Sequence, residues 1–440
     1  MGCETSWLSS AHLPLAALAL RRPYRRWRLP VCSAGETPYA PVPKDRRWYN
    51  PERRRRLYNL KPVRRWIEAE DLSLSDSTDS RNDRFVLVSY NILADKNASH
   101  HRDLYWKIPF DVMKWDSRKG LIFQEICRWN ADIVCLQIAS FLVFQEVDRY
   151  EDILMNMKKK GYAGSYKGRT GLAKDGCAIF WKVKRFRLLE EDYIEFSAFG
   201  LRDNVAQLFV FEKREADPRR LVVGNIHVLF NPKRGDIKLG QVRLLLSKVN
   251  ALSEKWDNIP VVLAGDFNST PESAIYEFLS TSELDIAAHD RRYIFGQDRC
   301  EFALYDLPSF LKFHWTDEEL KNATGQSKCT KLEHPLKLHS AYASVKGNAR
   351  TRGRHGEPLA TTYHSKFLGT VDYIWYSTGL ACTRVLDTIS IDILRKLGGL
   401  PSKEMGSDHI ALLSEFIFKE CRDLELQGPA NSSTEEDTTH

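Results

Sequence analysis

The stretch PVVLAGDFNSTPES, residues 260–273, decides how the chain is read. Its apolar run over 260–265 has the length of a buried strand, and it closes on Asp266 and Asn268. Ser273 to Phe278 then opens a helix. A carboxylate at the end of an apolar strand is costly to bury unless something pairs with it. Working outward, the event recurs. VSYNILAD places Asn91 after a strand, VVGNIHVLFNP places His227 within or just past one, GTVDYIWYS holds Asp372 in an apolar strand, and MGSDHIALL sets Asp408 and His409 before another. Any one of these alone reads best as a structural ion pair. Five in one chain, all at strand ends, point to a shared metal and catalytic site.

The pattern between these motifs alternates short strands and helices. Strands are expected at 85–90, 132–137, 177–181, 205–211, 220–230, 260–265 and 371–376. A long helix at 236–256 carries Val242, Leu245, Val249, Leu252 and Trp256 on one face, and a second at 117–129 follows the capping candidates Asp116 and Ser117. Strands apolar on both faces suit sheets covered on either side. The region 283–345 reads as insertions and loops of the same domain.

Charge divides the chain. Residues 1–66 hold fifteen Lys/Arg against four Asp/Glu, a net +11 within a whole-chain +7, which leaves the rest near −4. A basic arm thus precedes a mildly acidic body able to hold a divalent cation. Residues 1–83 read as a disordered arm and linker, 84–420 as the catalytic domain and 421–440 as a disordered tail. The nine cysteines form no CxxC pair, which argues against structural zinc or a disulfide framework. The apolar WLSSAHLPLAALAL is too short to span a bilayer, so no stable membrane insertion is expected. MGCETS fits a myristoylation pattern, and the Arg-rich, acid-poor arm also fits organelle transit, nuclear import or RNA contact.

Taken in order, SYN, QEV, NIH, GDFNSTP, VDYIWYS and SDH resemble the signature of the endonuclease/exonuclease/phosphatase superfamily. Within it, YWKIPFDVMKWDSRKGLIFQEI, HPLKLHSAYAS and TTYHSKFLGTVDYIWYS resemble the deadenylases of the carbon catabolite repressor protein 4 type. The resemblance covers residues 84–418. It implies an α/β fold, a four-layer αββα sandwich of the DNase I-like type. It also implies a Mg²⁺-dependent 3′–5′ exoribonuclease acting on single-stranded poly(A) and releasing AMP.

Carried over by resemblance, Glu146 is the magnesium carboxylate with Asn91 beside it. Asp266 orients or deprotonates the attacking water and Asn268 fixes it. His409, paired with Asp372, binds the scissile phosphate, Asp408 helps hold metal or water, and His227 is a further phosphate contact. Phe367 and Pro232 stand where family members sandwich a base, though core packing explains Phe367 equally well. Lys233 and Arg234 are either phosphate contacts or a solvated loop. The resemblance implies a nuclear and cytoplasmic protein, with a mitochondrion or chloroplast as the alternative from the arm. It also implies association with the partner nuclease and scaffold of a deadenylase complex, although the leucine-rich repeats that some members dock with are absent from this sequence. The rival activities are a phosphatase acting on a dinucleotide 2′-phosphate, as in nocturnin, and a catalytically weak RNA-binding or regulatory isoform.

That last rival rests on ADIVCLQIASFLVFQEVDRY, residues 131–150, where one strand ends twice. In the family the strand runs straight into the glutamate as LQEVD, whereas here Ile138–Gln145 intervene between Gln137 and Glu146. A strand spanning both ends would be about three times the usual length. Phe-Leu-Val-Phe-Gln can be encoded as a pyrimidine-rich tract ending in CAG, which points to a splice variant using an upstream acceptor. Reduced activity is expected relative to the form lacking the eight residues.

Overall fold

The computed structural model describes residues 63–70, 84–93, 103–138, 147–171, 175–215, 217–291, 293–297 and 314–419. In chain order the elements begin with β1 (Trp66–Glu68), β2 (Arg84–Asn91), α1 (Phe110–Met113), α2 (Trp115–Arg128) and β3 (Ile133–Ile138). They continue with α3 (Val147–Lys159), β4 (Tyr162–Gly168), β5 (Gly176–Lys182), β6 (Phe186–Glu195), β7 (Val205–Lys213) and β8 (Arg220–His227). Then come α4 (Gly235–Lys255), β9 (Val261–Asp266), α5 (Ala274–Thr281), β10 (Glu283–Asp285), α6 (Asp317–Thr324), β11 (Lys331–Glu333) and β12 (Leu338–Ser340). The last are β13 (Thr362–His364), β14 (Phe367–Gly369), β15 (Asp372–Ser377), β16 (Leu380–Leu386), α7 (Ile391–Leu397) and β17 (Leu412–Phe418).

Two sheets carry the architecture. One is ordered β1-β16-β17-β2-β3-β5-β4 and the other β12-β15-β9-β8-β7-β6. Side chains alternate across each strand, so every strand feeds two layers. Phe85, Leu87, Ile133 and Cys135 of the first sheet meet Phe209, Val223, Val262 and Ile374 of the second in one inner core. On the outer faces, Val88, Val134 and Leu136 pack with Ile122 and Ile126 of α2, and Val222 and Leu263 pack with Val242, Leu245 and Val249 of α4. Helix, sheet, sheet, helix is the four-layer α/β sandwich. Among the described residues no helix is long and apolar enough to cross a membrane.

One parallel pair lies in each sheet, β2 with β3 and β8 with β9. Their carboxyl ends fall at one edge of the sandwich. Asn91 is in register with Gln137 there, and His227 with Asp266. Counting by twos from the inner-core residues places Ser89 and Asn91 on the inner face of β2. The same count puts Gln137 on the inner face of β3, Asn225 and His227 on that of β8, Asp266 on β9 and Asp372 on β15. The apolar filling of the sandwich therefore gives way to polar residues at this edge. Gly265 (φ 155°) permits the close approach, since a Cβ there would meet the Ile226 carbonyl oxygen at 2.0 Å.

Several expectations need correction. β8 stops at His227 rather than 230, because the Val228 amide turns to the Asp266 carbonyl and the Leu229 amide to the Gln241 side chain. α2 starts at Trp115 and has no side-chain cap, so Asp116 and Ser117 sit inside its first turn. Residues 66–68, assigned to the arm, form β1 antiparallel to β16. Arg64 anchors that strand: it is 9% exposed and donates to the Asp387, Leu386 and Ala411 carbonyls and to Glu125.

Candidate active site

Side-chain hydrogen bonds join the two sheets at the polar edge. Asn91 Nδ2 donates to Asp266 Oδ2 at 3.0 Å, and Asn91 Oδ1 accepts the Leu93 amide. Asp266 Oδ1 accepts the Asn268 amide at 2.8 Å. That bond holds Asn268 at φ 48°, a left-handed turn that asparagine tolerates better than most residues. The Asn268 side chain is fixed by the Val228 carbonyl, and its own carbonyl accepts from the buried Lys238 ammonium. Asp266 and Asn268 thus form one rigid turn after β9.

His409 and Asp372 form the second half. The His409 Nδ1 to Asp372 Oδ2 distance is 2.8 Å, and Thr361 Oγ1 donates to the same oxygen at 2.6 Å. This leaves His409 Nε2 facing Asp266 Oδ2 at 3.8 Å, while His227 Nε2 lies 3.5 Å from that oxygen. Asp408 is held from two sides, by Tyr105 Oη at 2.6 Å and by Ser407, whose hydroxyl also donates to the Asn91 carbonyl. Six expected residues, Asn91, His227, Asp266, Asn268, Asp372 and His409, are therefore gathered by direct bonds, close approach or a shared turn. Asp408 joins them through Ser407.

The electrostatics differentiate the two imidazoles. Burial works against a charge on both. For His409 the carboxylates of Asp372 and Asp408 and the bond to Asp372 overcome burial and push its pKa up to about 10. For His227 burial prevails over Asp266, and its pKa lies below the usual histidine value. One ring is cationic at neutral pH and the other is neutral. Burial, with Asp372 behind it, holds the Asp266 carboxyl above its ordinary value, which suits a group that accepts a proton.

Asp266, Asp372 and His409 each present one donor atom, all within 4.8 Å of one another. Hydrogen bonds already orient the side-chain oxygens of Asp266, Asn91, Asp408 and Asp372 at this edge. An oxygen set fits a hard divalent ion. The nearby thiols do not compete: burial pushes Cys177 up to about 12 and keeps Cys135 protonated as well.

Glu146, the expected magnesium carboxylate, lies outside the described residues. The position directly after Gln137 is occupied by Ile138. It continues β3 opposite Gly176 and is buried among the residues under α2 and α3. Gln137 keeps the strand end: its side-chain Nε2 donates to Asn225 Oδ1 at 2.8 Å and its backbone carbonyl accepts the Ile92 amide.

A groove of about 580 Å³ runs beside Thr270 and Pro271 and is walled by Tyr363, Lys366, Phe367 and Arg354. The Phe367 ring lies along β14 over Gly369, where a Cβ would meet it at 2.7 Å. Phe367 is half-buried at the groove and belongs to none of the sandwich's core clusters. Pro232 is half-buried in the loop after β8. Arg234 is committed to a two-pronged pair with Asp236, whereas Lys233 is exposed. Reasoning from sequence missed Gln137, Asn225, Thr361 and Tyr105. The signal for Asn225 was available, because it stands two residues before His227 on the same strand face.

The fold and this edge define a phosphoesterase-type site in an αββα sandwich, and comparison with known proteins agrees. Residues 88–409 match the Endonuclease/Exonuclease/phosphatase family, and the chain belongs to that family of hydrolases. Carbon catabolite repressor protein 4 homolog 3 of Arabidopsis thaliana is 51% identical over 388 residues, 85% of this chain and 84% of that protein. Homolog 5 of the same plant is 50% identical over 83% of this chain and 84% of that protein. The chain thus falls among the carbon catabolite repressor protein 4 homologs. Among solved structures, ANGEL2, a 2′,3′-cyclic phosphatase in complex with adenosine-2′,3′-vanadate, aligns with TM-score 0.66 and 30% identity. That alignment covers 81% of this chain and 99% of the ANGEL2 chain in that structure.

Proposed function

We propose that this protein is a Mg²⁺-dependent 3′–5′ exoribonuclease that shortens poly(A) tails of messenger RNA and releases AMP. The observation that carries the reading is the pairing of a cationic donor, His409 on Asp372, with an acceptor carboxylate, Asp266, across a distance of 3.8 Å. Relatedness at 51% identity to a carbon catabolite repressor protein 4 homolog supports the choice of RNA tails.

In this reading a terminal phosphodiester docks against the edge with a non-bridging oxygen toward His409 Nε2 and the attacking water toward Asp266. Asp266 takes a proton from the attacking water, the new P–O bond forms, the P–O3′ bond of the penultimate nucleotide breaks, and the departing 3′-oxygen takes a proton from solvent. His409 donates to the non-bridging oxygen on which charge grows, a contact of the kind worth about 10²–10³ in rate. Asn268 holds the Asp266 carboxylate in one orientation, and the neutral His227 sets its other flank. Asn91 and Asp408, with Glu146 where it reaches the strand end, would hold the Mg²⁺, whose chemistry is to neutralise phosphate charge and make bound water more acidic. Phe367 offers its ring to the terminal base, with the groove beside it taking the nucleotide.

The ANGEL2 likeness favours a second reading, opening of a 2′,3′-cyclic phosphate at an RNA end with the same residues. Product analysis separates the two. RNA with an unmodified poly(A) tail, RNA ending in a 2′,3′-cyclic phosphate, and a dinucleotide 2′-phosphate are each incubated with the protein and Mg²⁺. AMP from the first supports a deadenylase. Ring opening without AMP supports the cyclic phosphatase, and free phosphate from the dinucleotide alone overturns both.

A further inference from the structure

Beyond the catalytic edge, the segment from Asp103 to Lys114 carries two of the most exposed aromatic rings among the described residues. Trp106 is 69% exposed and Phe110 72%. Tyr105 carbonyl to Ile108 amide, 2.9 Å, closes a tight turn with Trp106 and Lys107 at its tip. The Lys107 ammonium lies over the Trp106 ring at 4.9 Å, and that of Lys114 over Phe110 at 5.0 Å. Each exposed ring thus carries a cation, although Lys114 also pairs with Asp111.

The turn is fixed to the active site. Tyr105 bonds Asp408 at one end of the segment, and the Ser365 amide and hydroxyl bond the Leu104 and Asp103 carbonyls. Rings follow one another from there: Tyr105 lies 6.3 Å from His364, and His364 lies 6.1 Å from Phe367. Burial lowers the His364 pKa to about 4, so this link is a neutral ring at working pH. A tryptophan left in water forgoes the large burial that aromatics ordinarily gain, and this one follows directly on Tyr105, whose hydroxyl holds Asp408.

We infer that Trp106 and Lys107, with Phe110 and Lys114 behind them, form a second stacking platform for single-stranded nucleic acid. It would grip nucleotides 5′ of the one held at Phe367. The inference rests on the RNA reading proposed above. Alternating π-faces and ammonium groups match a chain of bases and phosphates, the pattern by which single strands are held without regard to sequence. The platform makes affinity depend on tail length while leaving chemistry at the terminal nucleotide untouched.

The test compares the full chain with Trp106→Ala, Trp106→Phe and Lys107→Glu. Binding of a 20-nucleotide oligo(A) and a trinucleotide A₃ is measured at two salt concentrations, alongside tail-shortening rates at saturating RNA. Stacking energies predict that Trp106→Ala weakens the 20-mer about tenfold, leaves A₃ and the saturated rate unchanged, and is largely rescued by Trp106→Phe. Lys107→Glu weakens the 20-mer and flattens its salt dependence. Equal affinity of Trp106→Ala and the unaltered chain for the 20-mer, with tail shortening intact, overturns the platform alone. If the unaltered chain neither binds nor shortens RNA, the proposed function and the platform fall together.

Discussion

His409 is cationic because two carboxylates outweigh its burial, and that balance can be tested one residue at a time. A folded-state pKa near 10, above the ordinary 6.5, means that protonation stabilises the fold and the site. The contribution is complete below the ordinary value and is lost as pH rises through about 10. His409 should therefore impose no alkaline fall in kcat/KM until near pH 10. Asp372→Asn removes the strongest attraction and should move that alkaline limb down by about one to three units. A limb that stays in place would show that Asp372 does not set the charge of His409. Asp266→Ala removes the proton acceptor, and its turnover should fall by at least about 10²-fold while its melting temperature holds or rises, since a buried carboxylate is lost.

Among the elements, β3 carries the strongest prediction. Ile138 occupies the position directly after Gln137, and deletion of Ile138–Gln145 would bring Glu146 to that position without altering the register of Gln137 with Asn91. Small errors in placing a reacting or metal-binding group cost about 10²-fold. The shortened form should thus turn over faster than this chain by about that factor, measured side by side at saturating Mg²⁺; equal turnover would show the eight residues to be harmless. The anchoring of β1 by Arg64 gives a stability prediction. Arg64→Ala leaves the buried Ala411 carbonyl without its Arg64 donor and should cost about 2 kcal/mol in urea unfolding.

Strand centres were readable because hydrophobic period and length agree there, as at 261–266 and 372–377. Strand ends were not, because they are set by single long-range bonds such as Val228 to Asp266. β6 and β1 escaped notice for a related reason: mixed polar strands such as Phe186–Glu195 and the three-residue Trp66–Glu68 carry little periodic signal. The acidic and histidine members of the site were legible because charge in an apolar strand is conspicuous. Thr361 and Tyr105, which orient Asp372 and Asp408, were not, because a threonine or tyrosine in a loop draws no such attention.

For the whole molecule, two sheets present the ends of their parallel strands at one edge, and a catalytic apparatus is assembled there from residues more than 300 positions apart, such as Asn91 and Ser407. On the proposed function, a mildly acidic domain holds an anionic polymer at such an edge by local features rather than by net charge, so divalent cation is expected to be indispensable. Chelation should abolish turnover without unfolding the chain, as followed by circular dichroism. The central claim, that this edge removes nucleotides from poly(A), is tested most directly by a Mg²⁺-dependent time course on 5′-labelled RNA ending in a poly(A) tail. The course is run with this chain, the form lacking Ile138–Gln145, and Asp266→Ala in each. Stepwise tail shortening with AMP release, faster in the shortened form and abolished by Asp266→Ala, is the predicted result. A tail left intact by both forms would contradict it.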